Sequence, residues 1–383
     1  MKYIPLIQVC DFQGGSQPPK EQWIDHEKEG YIRMLQIRDF TQPDKNNVEY
    51  VRISKAIKTC NEDDILIGRY GASVGKILSG LAGAYNVAII KTIPDTSKLS
   101  KRFLYHYLNS PYFQNFILSV GSRAAQAGFN KDDLSDAQIP VLSLEAQSNV
   151  VSQLDKVSEL IVLRKEQLAA LDQLVKSRFV ELFGDPIVNE KGWDTKPLLE
   201  MGSCKNGMNF HYEDAGVEIN CLGVGDFKDY SIISDTSILP TVSLNEMPSA
   251  DYMLQDDDIV FVRSNGNKAL VGRSVAVYPG DIPTAFSGFC IRYRKTDEAV
   301  NIPYLLRVLK AESVRQKMAG RGANIQNLNQ QILGTLIIPV PPIELQNQFA
   351  AFVEQTNKSK LTTQRSLDEL ETLKKALMQK YFG

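Results

Sequence analysis

The apolar positions of this chain change period along its length. Between residues 31 and 90 they come in short runs, Tyr31–Ile37, Ile65–Ile67 and Asn86–Ile90, separated by Gly and Asp clusters, which is how strands are punctuated. From Lys101 to Leu118 the pattern turns helical, with Phe103, Leu104, Tyr107 and Leu108 on one face and Pro111 marking a break or a new start. A polar, Gly-containing loop covers 121–130. Then Ile139-Pro140-Val141 opens a stretch that closes at Leu182-Phe183-Gly184, and the residues between contain neither Pro nor Gly. Such a stretch reads as one long uninterrupted helix.

The same order returns 199 residues later. Ile338-Pro339-Val340 opens, Tyr381-Phe382-Gly383 closes, and Glu145, Gln147, Leu168, Leu171, Leu174 and Lys176 reappear as Glu344, Gln346, Leu367, Leu370, Leu373 and Lys375. Over residues 139–184 there are 11 identities in 46 positions without a gap, and the register extends back to Gly121/Gly320 and Asn130/Asn329. The chain is an internal duplication. The globular halves match in layout more than in residues. Pro197-Leu198-Leu199 answers Pro5-Leu6-Ile7, and Gly225-Asp226-Phe227 answers Arg38-Asp39-Phe40. Asp258 to Arg263 answers Asp64 to Arg69, and Ala285 to Phe289 answers Ala84 to Ala88.

In the first long helix Leu154, Val157, Ile161, Leu168, Leu171 and Val175 step by threes and fours, with Arg164 interrupting. In the second, Phe349, Val353, Leu367, Leu370 and Leu377 keep the same phase, and Thr356, Lys360 and Thr363 leave a polar middle. Any long surface helix shows some such stripe. Mutual antiparallel pairing fits better, because each arm then buries the other's stripe and carries a globular head at each end of one rod. The fold expected is α+β: two strand-rich domains joined by two long helices in an antiparallel coiled coil, with pseudo-twofold character. The boundaries expected are 1–138, 139–186, 187–337 and 338–383.

Composition narrows the class. Apolar residues make up 43% and charged residues 23%, so the chain is globular rather than disordered. No run of eighteen apolar residues exists and no signal-peptide pattern opens the chain, so a cytosolic protein is expected. The five cysteines are scattered, which fits a reducing compartment. The net charge is −2. Residues 1–133 carry +3, 134–186 carry −3, 187–331 carry −3 and 332–383 carry +1. Any nucleic-acid contact therefore uses local basic patches, or a partner supplies most of the phosphate neutralisation.

Catalytic motifs are absent. Gly71 to Ile77 imitates a phosphate loop but has three residues between its glycines where four are needed, and Ile77 stands where Ser or Thr should bind Mg²⁺. A Gly-rich loop that lets backbone approach DNA, or a plain hairpin turn, suits it better. Asp256-Asp257-Asp258 echoes Asp63-Asp64 and reads as a turn or strand start. His26, His106 and His211 lie far from any Cys or carboxylate at ligand spacing, so no metal site is expected. No Asn-Pro-Pro-aromatic tetrad for amino-group methylation occurs.

The plan of variable module, helical arm, variable module, helical arm resembles the specificity subunit of type I restriction–modification enzymes. The residues that carry the likeness are Ile139-Pro140-Val141, Ile338 to Gln346, Leu168 through Phe183-Gly184-Asp185-Pro186, and Lys191-Gly192-Trp193. The paired-proline entry, Pro341-Pro342, is Leu142-Ser143 in the first arm. The resemblance implies two target recognition domains, each reading half of a bipartite, asymmetric DNA site. It implies arms that set the gap and dock two modification subunits, which bring S-adenosylmethionine and methylate adenine. Two restriction subunits would add ATP-driven translocation and cleavage. This chain would hold no cofactor and do no chemistry.

The polar loops are the candidates for base reading. In the first half they are Arg38, Arg69, Tyr70, Ser73 and Lys76, with Arg123 and Gln126 on a second edge. In the second half they are Arg263, Ser264, Asn265, Asn267, Lys268 and Arg273, with Arg321, Asn324 and Gln326. Arg forks to guanine and Asn or Gln forks to adenine are the usual bidentate pairings. The competing reading of each residue is a solvated turn. Two other functions remain in play: a DNA- or RNA-binding adaptor outside restriction, and a nucleotide-dependent enzyme using Gly71 to Ile77.

Overall fold

A computed structural model describes residues 2–42, 44, 47–121, 128–210, 215–227, 231–319 and 327–383. The chain divides into two compact units, residues 1–166 with 364–383, and residues 167–363. Each unit holds one strand-rich module, half of the first long helix (Leu144–Phe183) and half of the second (Ile343–Phe382).

In the first unit an antiparallel sheet runs in the order Cys10–Gly14, Ile89–Pro94, Leu66–Gly68, Ile77–Leu78. A second sheet orders Tyr50–Arg52, Tyr31–Leu35, Gly83–Tyr85 and Thr59–Cys60, with the middle pair parallel. The second unit repeats both. Gly202–Asn206, Cys290–Lys295, Asp258–Val262 and Ser274–Val277 answer the first sheet, and Ile232–Ile233 adds a strand. Thr241–Leu244, Val217–Leu222 and Thr284–Phe286 answer the second. The proline-bearing strands lie in two-stranded ribbons, Tyr3–Pro5 with Gln138–Pro140 and Thr195–Pro197 with Ile337–Pro339. There a missing N–H costs no ladder bond.

The strand reading is shifted at two places. Tyr31–Leu35 stops short of Ile37, which starts a helix over Ile37–Thr41. The Asp39 carboxylate accepts the Gln36 N–H at 2.8 Å and so begins that helix. Asp226 accepts the Gly223 N–H at 2.8 Å in the second module, so the aspartate the two halves share has one job. Asn86 to Ala88 form a turn, not strand, because the Asn86 side chain accepts the Ala88 N–H at 3.1 Å.

The arms pair antiparallel within each unit. In the first, Tyr381 donates to Gln153 at 3.0 Å, Arg164 Nε reaches Ser366 Oγ at 3.2 Å and Lys165 pairs with Glu371 at 2.9 Å. In the second, Lys360 pairs with Asp172 at 2.6 Å and Phe179 meets Phe349 with ring centroids 5.6 Å apart. Leu154, Val157, Ile161, Phe349 and Leu367 are buried, while Leu168, Leu171, Val175, Val353, Leu370 and Leu377 are half-buried. The two threonines of the polar middle are satisfied within their own helix, while Lys360 pairs across to the other arm: buried Thr356 and Thr363 return their hydroxyls to Phe352 O and Ser359 O at 2.8 and 2.9 Å.

The helix ends enter module cores. Phe382 closes the second arm and packs in the first module against Phe103 and Tyr107, at 5.2 and 5.9 Å. Its repeat mate Phe183 closes the first arm and packs in the second module against Tyr304 at 4.7 Å. Gly184 takes φ 75°, the left-handed cap that ends a helix, and its N–H returns to Val180 O at 2.8 Å. The Trp193 indole donates to Phe183 O at 3.2 Å, which gives Lys191-Gly192-Trp193 its structural role. At the other ends, Ser143 Oγ accepts the Ala146 N–H at 3.2 Å, whereas Pro342 starts its helix through a fixed φ. No helix among the described residues is long and apolar enough to cross a membrane.

Candidate nucleic-acid interface

Each module carries one arginine at the end of a central strand, and each guanidinium holds a backbone carbonyl, on the returning loop in the first module and on the turn over 287–290 in the second. Arg69 Nε donates to Phe129 O at 3.1 Å, and its guanidinium lies 5.1 Å from the Tyr70 ring. The Arg69 N–H reaches Ala88 O at 2.9 Å. In the second module Arg263 Nη1 donates to Gly288 O at 3.1 Å, and its N–H reaches Phe289 O at 2.8 Å. The next residue bridges to the returning loop in both, Tyr70 to Gly128 and Ser264 to Asn327. Both arginines are half-buried, and each spends part of its fork on a backbone carbonyl. The remaining N–H groups are what an outside acceptor can use.

The Gly-rich segment of the first module is a tight connection between Leu66–Gly68 and Ile77–Leu78. Gly71 and Gly75 take φ 56° and 78°, and a Cβ at Gly75 would sit 2.8 Å from Ile117 Cγ2. Ser73 Oγ is turned back to Tyr70 O at 2.7 Å. Lys76 is exposed and makes no ion pair among the described residues. Arg38 is committed, donating to Glu49 at 2.8 Å beside Lys20 and Gln36.

In the second module Asn265 and Asn267 use their side-chain carbonyls in successive turns, accepting the Asn267 and Ala269 N–H groups at 2.7 and 3.1 Å. Their amide NH₂ groups have no acceptor among the described residues. Lys310 sits within electrostatic reach of Arg307, Lys360 and Arg273, with Asp172 the carboxylate among them. Lys310 donates to Ser231 at 2.8 Å. Burial, then the neighbouring Arg307 and Lys360, pushes its ammonium down to about 8. This is a local basic patch in a segment whose net charge is negative. Sequence reasoning placed only Arg273 of this group, because the others are spread over two helices. Arg123, Gln126, Arg321, Asn324 and Gln326, and the Lys268 side chain, lie outside the described residues.

The acidic clusters and the cysteines have structural surroundings. Asp64 and Asp258, the buried members of the acidic clusters, are structural. Asp64 pairs with Lys91 at 2.9 Å and Lys101 at 2.8 Å, and Asp258 takes a bidentate pair from Arg294 at 2.8 and 2.7 Å. Burial alone would raise the Asp64 carboxyl, but hydrogen bonds from Lys101, the Asn61 N–H and Lys91 outweigh it and hold the group at about 2. Burial pushes the Cys10, Cys204 and Cys221 thiols up to about 12, which keeps them poor nucleophiles at neutral pH. No group of His, Cys, Asp and Glu among the described residues could hold a metal ion.

Comparison with known proteins points one way. The profile of the type I restriction modification DNA specificity domain matches residues 1–173 and 191–372. The MjaVIII specificity subunit of a type I restriction enzyme from Methanocaldococcus jannaschii is 21% identical over 374 residues, covering 93% of this chain and 86% of that protein. The StySPI specificity subunit from Salmonella potsdam is 23% identical over 383 residues, covering 92% and 81%. Among solved structures, the S subunit of a type I restriction–modification system from M. genitalium aligns over 100% of this chain and 96% of its own, with TM-score 0.59 and 15% identity. A structure reported for complex assembly and conformational transition of the type I system aligns over 100% and 97%, with TM-score 0.61 and 17% identity.

Proposed function

The chain belongs to the type I restriction–modification DNA specificity family, and from that premise we propose that it reads a bipartite DNA site for a methyltransferase–endonuclease complex. The observation that carries the reading is the duplicated arginine, whose N–H bonds the matching turn in each module while its guanidinium holds a backbone carbonyl. Two modules that share a four-strand sheet order present it, Arg69 with Tyr70 in the first and Arg263 with Asn265 and Asn267 in the second. A repeated scaffold with different residues at its tips suits the reading of two different half-sites. The backbone-pinned guanidiniums keep N–H groups for guanine edges, and the asparagine amides keep theirs for acceptors on bases. The basic group around Lys310 supports phosphate contact.

In this reading the chain is not itself a catalyst. Modification subunits supply the methyl-transfer chemistry and dock on the paired arms, restriction subunits add cleavage, and the complex works in the cytoplasm. The domains are 1–138, 139–186, 187–337 and 338–383. Of the loop residues, Lys76, Arg273, Asn265 and Asn267 are free to face DNA, while Ser73 and Arg38 are held by partners within the module. The deciding experiment is methylome sequencing of a host with and without this chain. A bipartite adenine-methylation motif should vanish when the chain is deleted. An unchanged methylome in cells that express the complex would refute the reading. Sequence-independent binding would favour the general adaptor instead.

A further inference from the structure

The two modules share one turn but differ at its tip. In the second, Gly288 N–H donates to Met208 O at 2.6 Å, Cys290 N–H to Ser287 O at 2.8 Å, and both Arg263 and Ser264 N–H to Phe289 O at 2.8 and 3.3 Å. Ser287 Oγ accepts the Phe289 N–H at 3.3 Å, and Arg263 Nη1 holds Gly288 O at 3.1 Å. A Cβ on Gly288 would sit 2.1 Å from Asn209 Oδ1, so a side chain there would have to displace the Asn209 amide. On this hydrogen-bonded turn stands Phe289, with 60% of its surface exposed.

The first module builds the same turn from Asn86, Val87 and Ala88, and Arg69 N–H reaches Ala88 O just as Arg263 N–H reaches Phe289 O. Gly15 and Gly207 pack at matching places, each with a hypothetical Cβ 2.0 Å from the carbonyl oxygen of Asn86 or Ser287. Where the second module has Phe289 the first has Ala88. Where the first has Tyr70, 43% exposed, the second has Ser264. Each module thus has one exposed aromatic at this place, on the turn itself in the second and beside the arginine that bonds the turn in the first.

A single exposed apolar residue is ordinary on a protein surface. Phe289 differs in its setting. Its backbone is fixed by a carbonyl that accepts two N–H groups, it adjoins an arginine with spare donors, and its neighbours Ser264 and Gly288 are small. A phenyl ring cannot read hydrogen-bond donors or acceptors. Among the base edges of the major groove, the apolar group is the thymine C5-methyl. We infer that Phe289 is the apolar base contact of the second module, set against the methyl group of a thymine in the half-site which that module reads. Tyr70 is its counterpart in the first. The inference rests on the DNA-reading role proposed above and adds the residue and the chemical group it recognises.

The test uses the full chain assembled with its modification subunits and duplexes of the methylated site, each thymine replaced in turn by deoxyuridine. That change deletes the methyl group alone. At one thymine, in one half-site, deoxyuridine should weaken wild-type binding about fourfold, the value of one buried methyl. F289A should bind the two duplexes alike there, with an unchanged melting temperature because the ring is exposed. F289N, a residue suited to turns, must lose the distinction too, which covers the case of an unstable F289A. The inference is overturned if wild type and variants respond equally at every thymine, if the half-site holds no thymine, or if F289A weakens all sequences alike. Failure of the underlying reading looks different: the wild-type complex would then prefer no sequence at all.

Discussion

Gln346 Oε1 accepts the backbone N–H of Asn301 at 3.0 Å, locking the second arm to the start of a helix in its own module. The same amide donates to Ala299 O at 2.9 Å and Pro341 O at 2.8 Å. Gln147 repeats all three contacts in the first unit, with the Ser100 N–H at 2.9 Å, Lys98 O at 2.7 Å and Leu142 O at 3.0 Å. Both side chains are buried, at 0% and 2% exposure. This explains why a glutamine is among the identities the two arms share.

Gln346→Leu should therefore be costly despite its similar size. It strands one part-buried donor and two acceptors, one buried and one part-buried, at about 1–3 kcal/mol for each unsatisfied group. A loss of at least about 3 kcal/mol is expected in chemical denaturation of the full chain. Gln346→Glu keeps the acceptor but loses both donated bonds, and should fall between. A leucine variant as stable as wild type would mean that the clamp contributes nothing.

Phe382→Ala should destabilise the first module, although the residue lies at the far end of the second arm. The ring is fully buried against Phe103 and Tyr107. Emptying such a site costs about 3–5 kcal/mol. Hydrogen exchange should show the loss in residues 101–108, where the ring packs, and protection there unchanged from wild type would count against the packing described.

Lys310→Met should raise stability at neutral pH. The folded-state pKa of about 8 lies below the ordinary 10.5, so the unfolded chain binds the proton more tightly. Keeping Lys310 charged thus opposes folding at pH 7, by up to about 3 kcal/mol. The penalty is present in full below pH 8 and fades as pH rises toward 10.5. Melting temperatures of wild type and variant should converge over that range. A gap that does not depend on pH would place the effect in packing rather than in charge.

Arg263→Ala should weaken recognition of one half-site and spare the other. A lost bidentate base contact costs about 1–3 kcal/mol, and loss of the bond to Gly288 O also loosens the turn that carries Phe289. The measurement is methylation of single-base variants of the site. A uniform loss over every sequence would mark Arg263 as a phosphate contact.

The amino-acid sequence alone establishes the duplication, the two long helices and the spacing of their seam. Those signals are local and periodic: a buried stripe repeats every few residues, and Gly184 or Pro342 ends or starts a helix through its own backbone preferences. It also marked Arg69 and Arg263 as matched positions, and Gln147 and Gln346 as identical ones. What these side chains do is settled by folding. Arg69 ends on Phe129 O, Arg263 on Gly288 O and Gln346 on Ala299 O, and each acceptor is a backbone carbonyl. Every residue carries such a carbonyl, so no letter of the sequence announces which one will be used. The destination of Phe382 is hidden for a related reason. Its apolar character requires burial, but the cavity that receives it is built by residues some 280 positions earlier and exists only once the chain has folded.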